Sequence, residues 1–273
     1  MPKSKIVKEL VYPPIIEKVF FDNYKKGANE VHFTGTALKS AYLASGLKNA
    51  DNVPDVLYYY RFRYPMPDRI KEEERDGKEW VILLNGRKNR ESYYKFKLLR
   101  NNRIIPNQNL VTIKIPDSTP EIVTAYAQSD EQALLAKVRY NRLIDVFLGV
   151  TTYSLQNHLR TSVKKLGQIE IDEIYVGVDK QGRQFVIPVQ AKGGKDQVSI
   201  VQVIQDLACC EEKFPALVCR AISAQFMSNE KIALFELTME DEEIHIVEER
   251  HYKLVPSREI TEKDLKAYSA RAT

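Results

Sequence analysis

The sequence predicts an α/β protein with a central mixed sheet flanked by helices, preceded by a smaller module of helices and one hairpin. Apolar residues recur at helical spacing near the N-terminus and again between residues 133 and 147. Runs with strand character, bounded by Gly, Pro and Asn, follow from residue 168 onward. Between the two parts, residues 101–120 are rich in Asn and Pro, which is typical of a linker. We therefore predict two domains, residues 1–105 and residues 106–273.

The composition is that of a soluble globular protein, with 44% hydrophobic and 29% charged residues among 273. Apolar runs stay well short of the roughly 18 residues that a membrane span requires. The first residues also lack the apolar core of a signal peptide. We therefore expect a cytoplasmic location without membrane contact. The three cysteines have no partners at zinc-site spacing, so we expect reduced, largely buried thiols.

Positive charge is concentrated in the first part of the chain. Residues 1–120 contain 22 Lys and Arg against 14 Asp and Glu, a net charge of +8. Residues 121–273 contain 19 against 23, a net charge of −4. A basic N-terminal part is what a phosphate-binding surface needs. The alternative is a charged, solvated face without a partner.

The N-terminal module contains three predicted helices followed by a basic hairpin. The helices begin near Ile15, Thr36 and Pro54, and the strands cover Glu79–Leu84 and Tyr93–Leu99. This is the order of a winged helix-turn-helix, whose third helix enters the major groove of DNA while the hairpin tip lies on phosphates. The sequence therefore predicts a winged-helix-like module that binds double-stranded DNA.

Basic residues at two places in this module are the candidate DNA contacts. The hairpin turn, residues 85–90, carries Arg87, Lys88 and Arg90, which we expect to contact phosphates. The third helix carries Arg61 and Arg63 among tyrosines and phenylalanine, and we expect these two to contact bases. About half of the tyrosines in this helix must instead belong to the core.

The second part alternates predicted helices and strands in the manner of an α/β domain. The predicted helices are residues 133–147, Ser154–Lys165 and Ser199–Glu212, and the predicted strands are Leu110–Ile115, Gln168–Val178, Gln184–Gln190, Val218–Phe226 and Lys231–Thr238.

Two consecutive strands combine apolar residues with chemistry-bearing side chains. In the first, alternation places Glu170 and Asp172 on one face and Ile169, Ile171 and Glu173 on the other. If the next strand of the chain lies beside this one, Glu170 and Asp172 will be close to the polar side chains that it carries.

The next strand ends in Gln190-Ala191-Lys192, followed by two glycines, and Gln190 and Lys192 share a face there. Carboxylate and carbonyl oxygens are ligands that suit Mg²⁺. Such a cation polarises a phosphate and lowers the pKa of a water molecule, and a nearby ammonium stabilises the charge that grows in the transition state. The set predicts Mg²⁺-dependent hydrolysis of phosphodiesters, with Mn²⁺ as a substitute metal.

Asp172, a gap of 17 residues and then Gln190-Ala191-Lys192 resemble the motif of the PD-(D/E)xK nuclease superfamily. The resemblance implies a restriction-endonuclease-like fold, metal ligands at Asp172 and Gln190, and a catalytic Lys192. The family usually has Asp or Glu where Gln190 stands. The Gln-x-Lys form is similar to that of Mrr-type, modification-directed restriction proteins.

The wider stretch from Asp130 to Pro256 resembles bacterial restriction-type endonucleases, which implies a bacterial or archaeal source. The segments that carry this resemblance are Tyr153–Thr161, Pro188–Gly194 and Ala224–Phe226.

Several further residues are weaker candidates. Because an amide at position 190 lowers the negative charge of the site, a helper carboxylate is expected, with Glu170 as the first candidate metal ligand and Glu131 as the second. Gln202 and Asp206 are four residues apart on one helix, and we expect a solvated helix face there rather than the site. For His158 we expect a surface position rather than a phosphate contact.

The leading hypothesis is a type II restriction endonuclease that cuts double-stranded DNA. Cutting both strands usually takes two active sites, so we expect a homodimer, and a DNA methyltransferase acting on the same sequence is a candidate partner. One alternative is a non-catalytic DNA-binding regulator that retains the nuclease fold. Another is a structure-selective nuclease of DNA repair. Phosphate-binding glycine loops for NTP or dinucleotide chemistry are absent from the sequence.

Overall fold

The computed structural model describes residues 3–47, 52–126, 131–164, 166–194 and 196–270. The chain divides into two compact units. The first unit consists of Met1–Arg103, Ser162–Ile169 and Ser199–Gln202, and the second unit contains the other segments. The first division follows Arg103, two residues before the predicted domain boundary.

The first unit combines helices with a small antiparallel sheet. Its helices are α1 (Lys3–Phe21), α2 (Gly35–Ala44), α3 (Val53–Tyr58) and α4 (Asp68–Lys71), one π-helical turn covers Tyr59–Arg63, and its strands are β1 (Glu30–Thr34), β2 (Glu79–Lys88) and β3 (Glu91–Leu99). Strand β3 lies between β1 and β2 and is antiparallel to both. Strand β1 was not predicted from the sequence.

Local chemistry explains where these elements begin and turn. Helix α2 begins after Thr34, whose Oγ1 accepts a hydrogen bond from the N–H of Ala37 at 3.0 Å. Strands β2 and β3 are joined at Asn89 and Arg90, whose φ angles of 51° and 65° are those that a two-residue hairpin turn demands. The turn is therefore tighter than the six-residue turn predicted for residues 85–90.

Aromatic residues form the centre of this unit. The rings of Trp80 and Phe96 meet the ring of Phe20 edge-to-face, at centroid distances of 5.1 and 5.0 Å. All three side chains are fully buried. Such pairs add roughly 0.5–1.5 kcal/mol beyond the burial of their area.

The second unit is built around one large mixed sheet. Its helices are α5 (Glu121–Tyr126), α6 (Glu131–Tyr140), α7 (Leu143–Leu148), α8 (Ile200–Lys213) and α9 (Glu262–Ser269), and its strands are β4 (Thr112–Pro116), β5 (Thr151–Val163), β6 (Gly167–Val178), β7 (Gln184–Lys192), β8 (Val218–Cys219), β9 (Ala221–Phe226), β10 (Lys231–Glu240) and β11 (Glu243–Val255). The last residues of β5 and the first residues of β6 and α8 belong to the first unit, within Ser162–Ile169 and Ser199–Gln202.

Within the described residues, eight strands form this sheet in the order β4-β11-β10-β9-β7-β6-β5, with β8 beside β7. Strand β7 is antiparallel to β6 and parallel to β9, so the sheet is mixed at its centre. The predicted α/β architecture with a large mixed sheet flanked by helices is confirmed.

One predicted helix is wrong. The segment Ser154–Lys165 was expected to be helical, but residues 154–163 belong to the strand β5, and Lys165 lies outside the described residues. Cross-strand contacts of β5 instead decide the conformation, among them Ser154 Oγ with Glu173 at 2.6 Å and Arg160 Nε with Glu170 at 3.2 Å.

Helices cover the sheet where its residues are apolar. The long helix predicted for residues 133–147 is broken into α6 and α7 at Arg142, whose φ angle is +49°. Leu134 and Val138 of α6 pack into one cluster with Val189 and Ala191 of β7. Within the described ranges, none of the helices combines the length and the apolar character that a transmembrane span requires.

Candidate active site

The candidate site lies where the pairing between β6 and β7 ends, in the middle of β6 and near the last residues of β7. The last paired residues there are Glu173 and Val189, and the same register continued by one residue opposes Asp172 and Gln190. Directly opposed residues of antiparallel strands project from the same face of the sheet. Lys192 is two residues beyond Gln190 and shares that face. These positions bring Asp172, Gln190 and Lys192 together, and the charge of Lys192 acts on the Asp172 carboxyl.

The alternation predicted for β6 is present. Ile169, Ile171 and Glu173 are buried, with exposed fractions of 4%, 0% and 0%. Asp172 is partly buried, and Glu170 is exposed. The face that carries Glu170 and Asp172 is thus the accessible one at this end of the strand.

The carboxylate of Asp172 is held by the neighbouring strand. Its Oδ2 accepts a hydrogen bond from the backbone N–H of Ala191 at 2.8 Å. Burial raises the pKa of the Asp172 carboxyl, while the Ala191 N–H and the positive charge of Lys192 oppose that shift. Charges of His158 and Glu131 also act on it, so α6 and β5 contribute to the electrostatics of the site.

Gln190 is buried, with 1% of its surface exposed. Its Nε2 donates to the backbone oxygen of Glu170 at 3.2 Å and to Oδ1 of Asp206 at 3.1 Å. Both hydrogens of the amide nitrogen are engaged in this way. The other polar atom of the side chain, Oε1, is the atom that suits a cation.

Asp206 is a member of the site that the sequence analysis placed on a solvated helix face. It lies on α8 with 2% of its surface exposed. Burial raises the pKa of its carboxyl well above the ordinary value, the hydrogen bond from Gln190 opposes the shift, and the charge of Asp172 adds to it. A signal for burial was present, because Asp206 falls three residues after Val203 and three before Cys209, on the apolar stripe of the helix.

Two further polar residues of β9 were not singled out. Ser223 pairs with Gln190, and Gln225 pairs with Lys192, in the parallel register of β7 and β9. Both are buried, and Ser223 Oγ and Gln225 Oε1 have no hydrogen-bond partner among the described residues. The polar row therefore continues from β6 across β7 to β9.

The two candidate helper carboxylates occupy different surroundings. Glu170 is exposed and contacts Nδ1 of His158 at 3.5 Å and Nε of Arg160 at 3.2 Å. Glu131, the first residue of α6, acts electrostatically on Asp172. Among the described residues, no three His, Cys, Asp or Glu side chains form a group that could hold a metal ion. A cation here would therefore take Asp172 with the Gln190 amide oxygen, and complete its shell with water or substrate oxygens.

The basic residues of the first unit are placed unequally. Arg87, Lys88 and Arg90 are exposed at the end of the β2–β3 hairpin. Arg63 is exposed beside the ring of Tyr58, at 5.8 Å from its centroid.

Arg61 does not extend freely from the third helix. Its Nε donates to the backbone oxygen of Ile82 at 3.3 Å, and burial lowers the pKa of its guanidinium to about 10. Desolvation of this kind indicates a structural position within the unit. We therefore keep the base-contact hypothesis for Arg63 and not for Arg61.

A cavity of about 580 Å³ lies at the opposite end of β6 and β7, beside the turn that joins them. Two of its three cations are already paired, since Arg183 contacts Asp179 at 2.6 Å and Arg220 contacts Glu236 at 2.6 Å. We assign no ligand to it.

Comparison of the chain with family models, with curated proteins and with solved structures gave no match.

Proposed function

We propose that the protein is a Mg²⁺-dependent DNA endonuclease whose active centre is Asp172, Gln190 and Lys192. One observation carries the proposal. Asp172 and Gln190 directly follow the last paired residues of β6 and β7, and the charge of Lys192 acts on the Asp172 carboxyl. The mixed sheet with helices on it supports the restriction-endonuclease-like fold that we propose for residues 106–273.

The residues present fit a Mg²⁺ ion. Asp172 and Oε1 of Gln190 would hold it, with Glu131 or Glu170 as a further oxygen donor, and Mg²⁺ commonly uses one or two carboxylates together with substrate phosphates. When bound, Mg²⁺ or Mn²⁺ polarises the phosphate and lowers the pKa of a water molecule.

The chain's own groups supply the remaining chemistry. The Ala191 N–H fixes the Asp172 carboxylate at 2.8 Å. The ammonium of Lys192 orients the attacking water and stabilises the charge that develops on the phosphate oxygens. Lys192 is the last residue of β7, and its pairing with Gln225 of β9 fixes its backbone.

The function is tested with supercoiled plasmid. We expect nicking and linearisation in Mg²⁺, and none in EDTA. Digestion of a known genome, followed by sequencing of the fragment ends, should give one discrete sequence for a type II restriction enzyme. Cuts confined to branched or damaged substrates would favour the repair nuclease, and binding without cutting in any metal would favour the regulator.

We propose a winged-helix-like module for residues 1–105. Helices α1, α2 and α3 precede the β2–β3 hairpin, and β1 completes its sheet, an arrangement that supports this assignment. The exposed cations Arg87, Lys88 and Arg90 would contact phosphates, and Arg63 would contact bases.

Neutralising the hairpin should weaken binding to all DNA alike. In the double variant Arg87→Gln/Lys88→Gln, the slope of log K against log salt should fall by up to about 1.8, at roughly 0.9 for each lost phosphate contact. Fluorescence anisotropy with cognate and scrambled duplexes, in Ca²⁺ at several salt concentrations, measures this.

The matched control for this experiment is Lys25→Gln/Lys26→Gln. These lysines are exposed and lie before β1, whose first residue pairs with the end of β3 remote from the hairpin turn. The control should leave the slope unchanged. An equal fall in both variants would mean that the hairpin is not a specific contact.

Assembly is part of the same proposal. We propose that two copies act on one duplex, because each copy has one active centre and a double-strand cut needs two. A DNA methyltransferase that modifies the same sequence remains a proposed partner. Light scattering of the protein with and without its DNA should show a dimer on the duplex.

A further inference from the structure

The side-chain oxygen of Gln225 is a buried acceptor that the fold does not satisfy. Gln225 lies near the end of β9 with 6% of its surface exposed, and its Oε1 has no hydrogen-bond partner among the described residues. A buried polar atom without a partner is costly, and an apolar side chain of the same size would avoid that cost. A role in the neighbouring site therefore explains this amide better than packing does.

The sheet limits which side chain can supply the missing donor. Gln225 is paired with Lys192 of β7 on one side and with Ala233 of β10 on the other. Laterally paired residues project from the same face of a sheet, so these two are its neighbours across the sheet. Alanine has no polar group, whereas the ammonium of Lys192 has three donors. Lys192 is therefore the lateral neighbour that can satisfy Oε1.

The ammonium of Lys192 in turn needs a group that fixes it. Its backbone is held by the pairing with β9, but four flexible carbon atoms separate the backbone from the charge. That charge acts on the carboxyls of Asp172 and Asp206, so the ammonium belongs to the candidate site. A charged group stabilises a transition state most when its position is fixed before the reaction begins.

We propose that Gln225 is a positioning residue, whose Oε1 accepts a hydrogen bond from the Lys192 ammonium and holds it toward the phosphate bound beside Asp172. This inference rests on the proposed nuclease function. A carboxylate at position 225 would also hold the ammonium, but its negative charge would repel the phosphate. A neutral amide oxygen fixes Lys192 and leaves its positive charge available to the substrate.

The first test is a double-mutant cycle, measured by single-turnover cleavage of plasmid in Mg²⁺. Gln225→Met removes the acceptor and nearly keeps the size of the side chain. It should cut about 10-fold more slowly, which is part of the roughly 10²–10³-fold loss expected when a whole electrostatic group is removed. Its DNA affinity in Ca²⁺ should stay unchanged. In the Lys192→Ala background the same substitution should cost nothing further, because the group that Gln225 holds is then absent.

Stability and a matched control separate this role from a structural one. Replacing a buried, unpartnered polar group by an apolar one is neutral or stabilising, so Gln225→Met should unfold at the same or a higher denaturant concentration. Gln181→Met makes the same chemical change at an exposed residue of the β6–β7 turn, and it should cut at the natural rate. Slower cutting by Gln225→Met together with a lower unfolding midpoint would overturn the inference.

A second test needs no cleavage. The free protein is pulse-labelled with acetic anhydride, and mass spectrometry compares Lys192 with the exposed Lys180 of the same chain. Lys192 should react more slowly than Lys180 in the natural chain and in Gln225→Glu, which retains an acceptor. In Gln225→Met the labelling of Lys192 should become about 10-fold faster, the factor that a hydrogen bond to a charged group contributes.

Three results would overturn the inference: natural cleavage by Gln225→Met, losses that add in the double variant, or equal labelling of Lys192 in the natural chain and Gln225→Met. If Gln225→Met does not fold, Gln225→Ala serves instead, because it removes the same acceptor with less bulk. If no protein cuts DNA but Lys192 labels in the stated order, the nuclease function fails and the positioning role stands. If the natural chain cuts DNA and labelling is equal, the inference fails and the function stands.

Discussion

Replacing Lys192 or Asp172 by alanine should reduce the rate of Mg²⁺-dependent DNA cleavage by about 10²–10³-fold, while DNA affinity stays nearly unchanged. One oriented electrostatic group supplies roughly 3–4 kcal/mol of transition-state stabilisation, and this magnitude sets the expected loss. Lys192→Ala removes the ammonium beside the reacting phosphate. Asp172→Ala removes the one carboxylate that the Ala191 N–H holds in place. Single-turnover cleavage of plasmid gives the rates, and anisotropy in Ca²⁺ gives the affinities.

The matched control is Lys180→Ala. Lys180 is exposed in the turn Asp179–Gly182, at the far end of the same β6–β7 hairpin, so this change removes the same charge from the same pair of strands. It should cut at the natural rate. Full activity in Lys192→Ala would contradict the assignment of the site, and equal losses in Lys192→Ala and Lys180→Ala would point to net charge rather than position.

The parts of the fold that could be predicted are those with a local signal. Strand β6 alternates accessible and buried residues from Gln168 to Glu173, and β7 is a nearly continuous apolar run. The turn between them is set by Asp179, whose Oδ1 accepts from the N–H groups of Gln181 and Arg183, at 2.9 Å in both cases. Because these strands carry Asp172, Gln190 and Lys192, the central part of the site was accessible to sequence reasoning.

The parts that were missed depend on distant partners. Strand β1 buries just Val31 and Phe33 in five residues, and its paired residues in β3 lie 59 to 67 positions later in the chain. Strand β11 carries five charged residues among its 13, and it follows a turn at Asp241 and Glu242 that lacks the usual Gly or Asn. Neither strand has a hydrophobic period strong enough to identify it alone.

The site was incompletely predicted for a similar reason. Asp206 is 16 residues from Gln190, and an acidic residue on a helix is usually solvated. Its place on the apolar stripe of α8 indicates burial, but its contact with Gln190 follows from the way α8 packs on the sheet, which no local pattern specifies. The same holds for Ser223 and Gln225, whose place beside Gln190 and Lys192 is set by the parallel register of β9.

Arg139→Ala should lower the free energy of unfolding by about 3 kcal/mol. Glu173 is fully buried on the face of β6 opposite to Asp172, and its Oε1 accepts from Arg139 Nε at 2.9 Å and from Ser154 Oγ at 2.6 Å. Removing one partner of a buried ion pair typically costs about 3–5 kcal/mol, because a charge is left buried without compensation. We expect the lower end, since 39% of the Arg139 side chain is exposed. Denaturant unfolding at neutral pH measures the change.

Two comparisons separate the buried charge from other effects of the substitution. Arg160→Ala removes an arginine of β5 that pairs with Glu170, a residue of β6 like Glu173. Both partners are exposed, so the loss in the free energy of unfolding should stay below about 1 kcal/mol. Glu173→Gln in the Arg139→Ala background removes the uncompensated charge and retains an acceptor for Ser154, so it should restore most of the lost stability. A double variant as unstable as Arg139→Ala would show that Arg139 acts through its packing on β5 and β6, and that the charge of Glu173 is not what the arginine compensates.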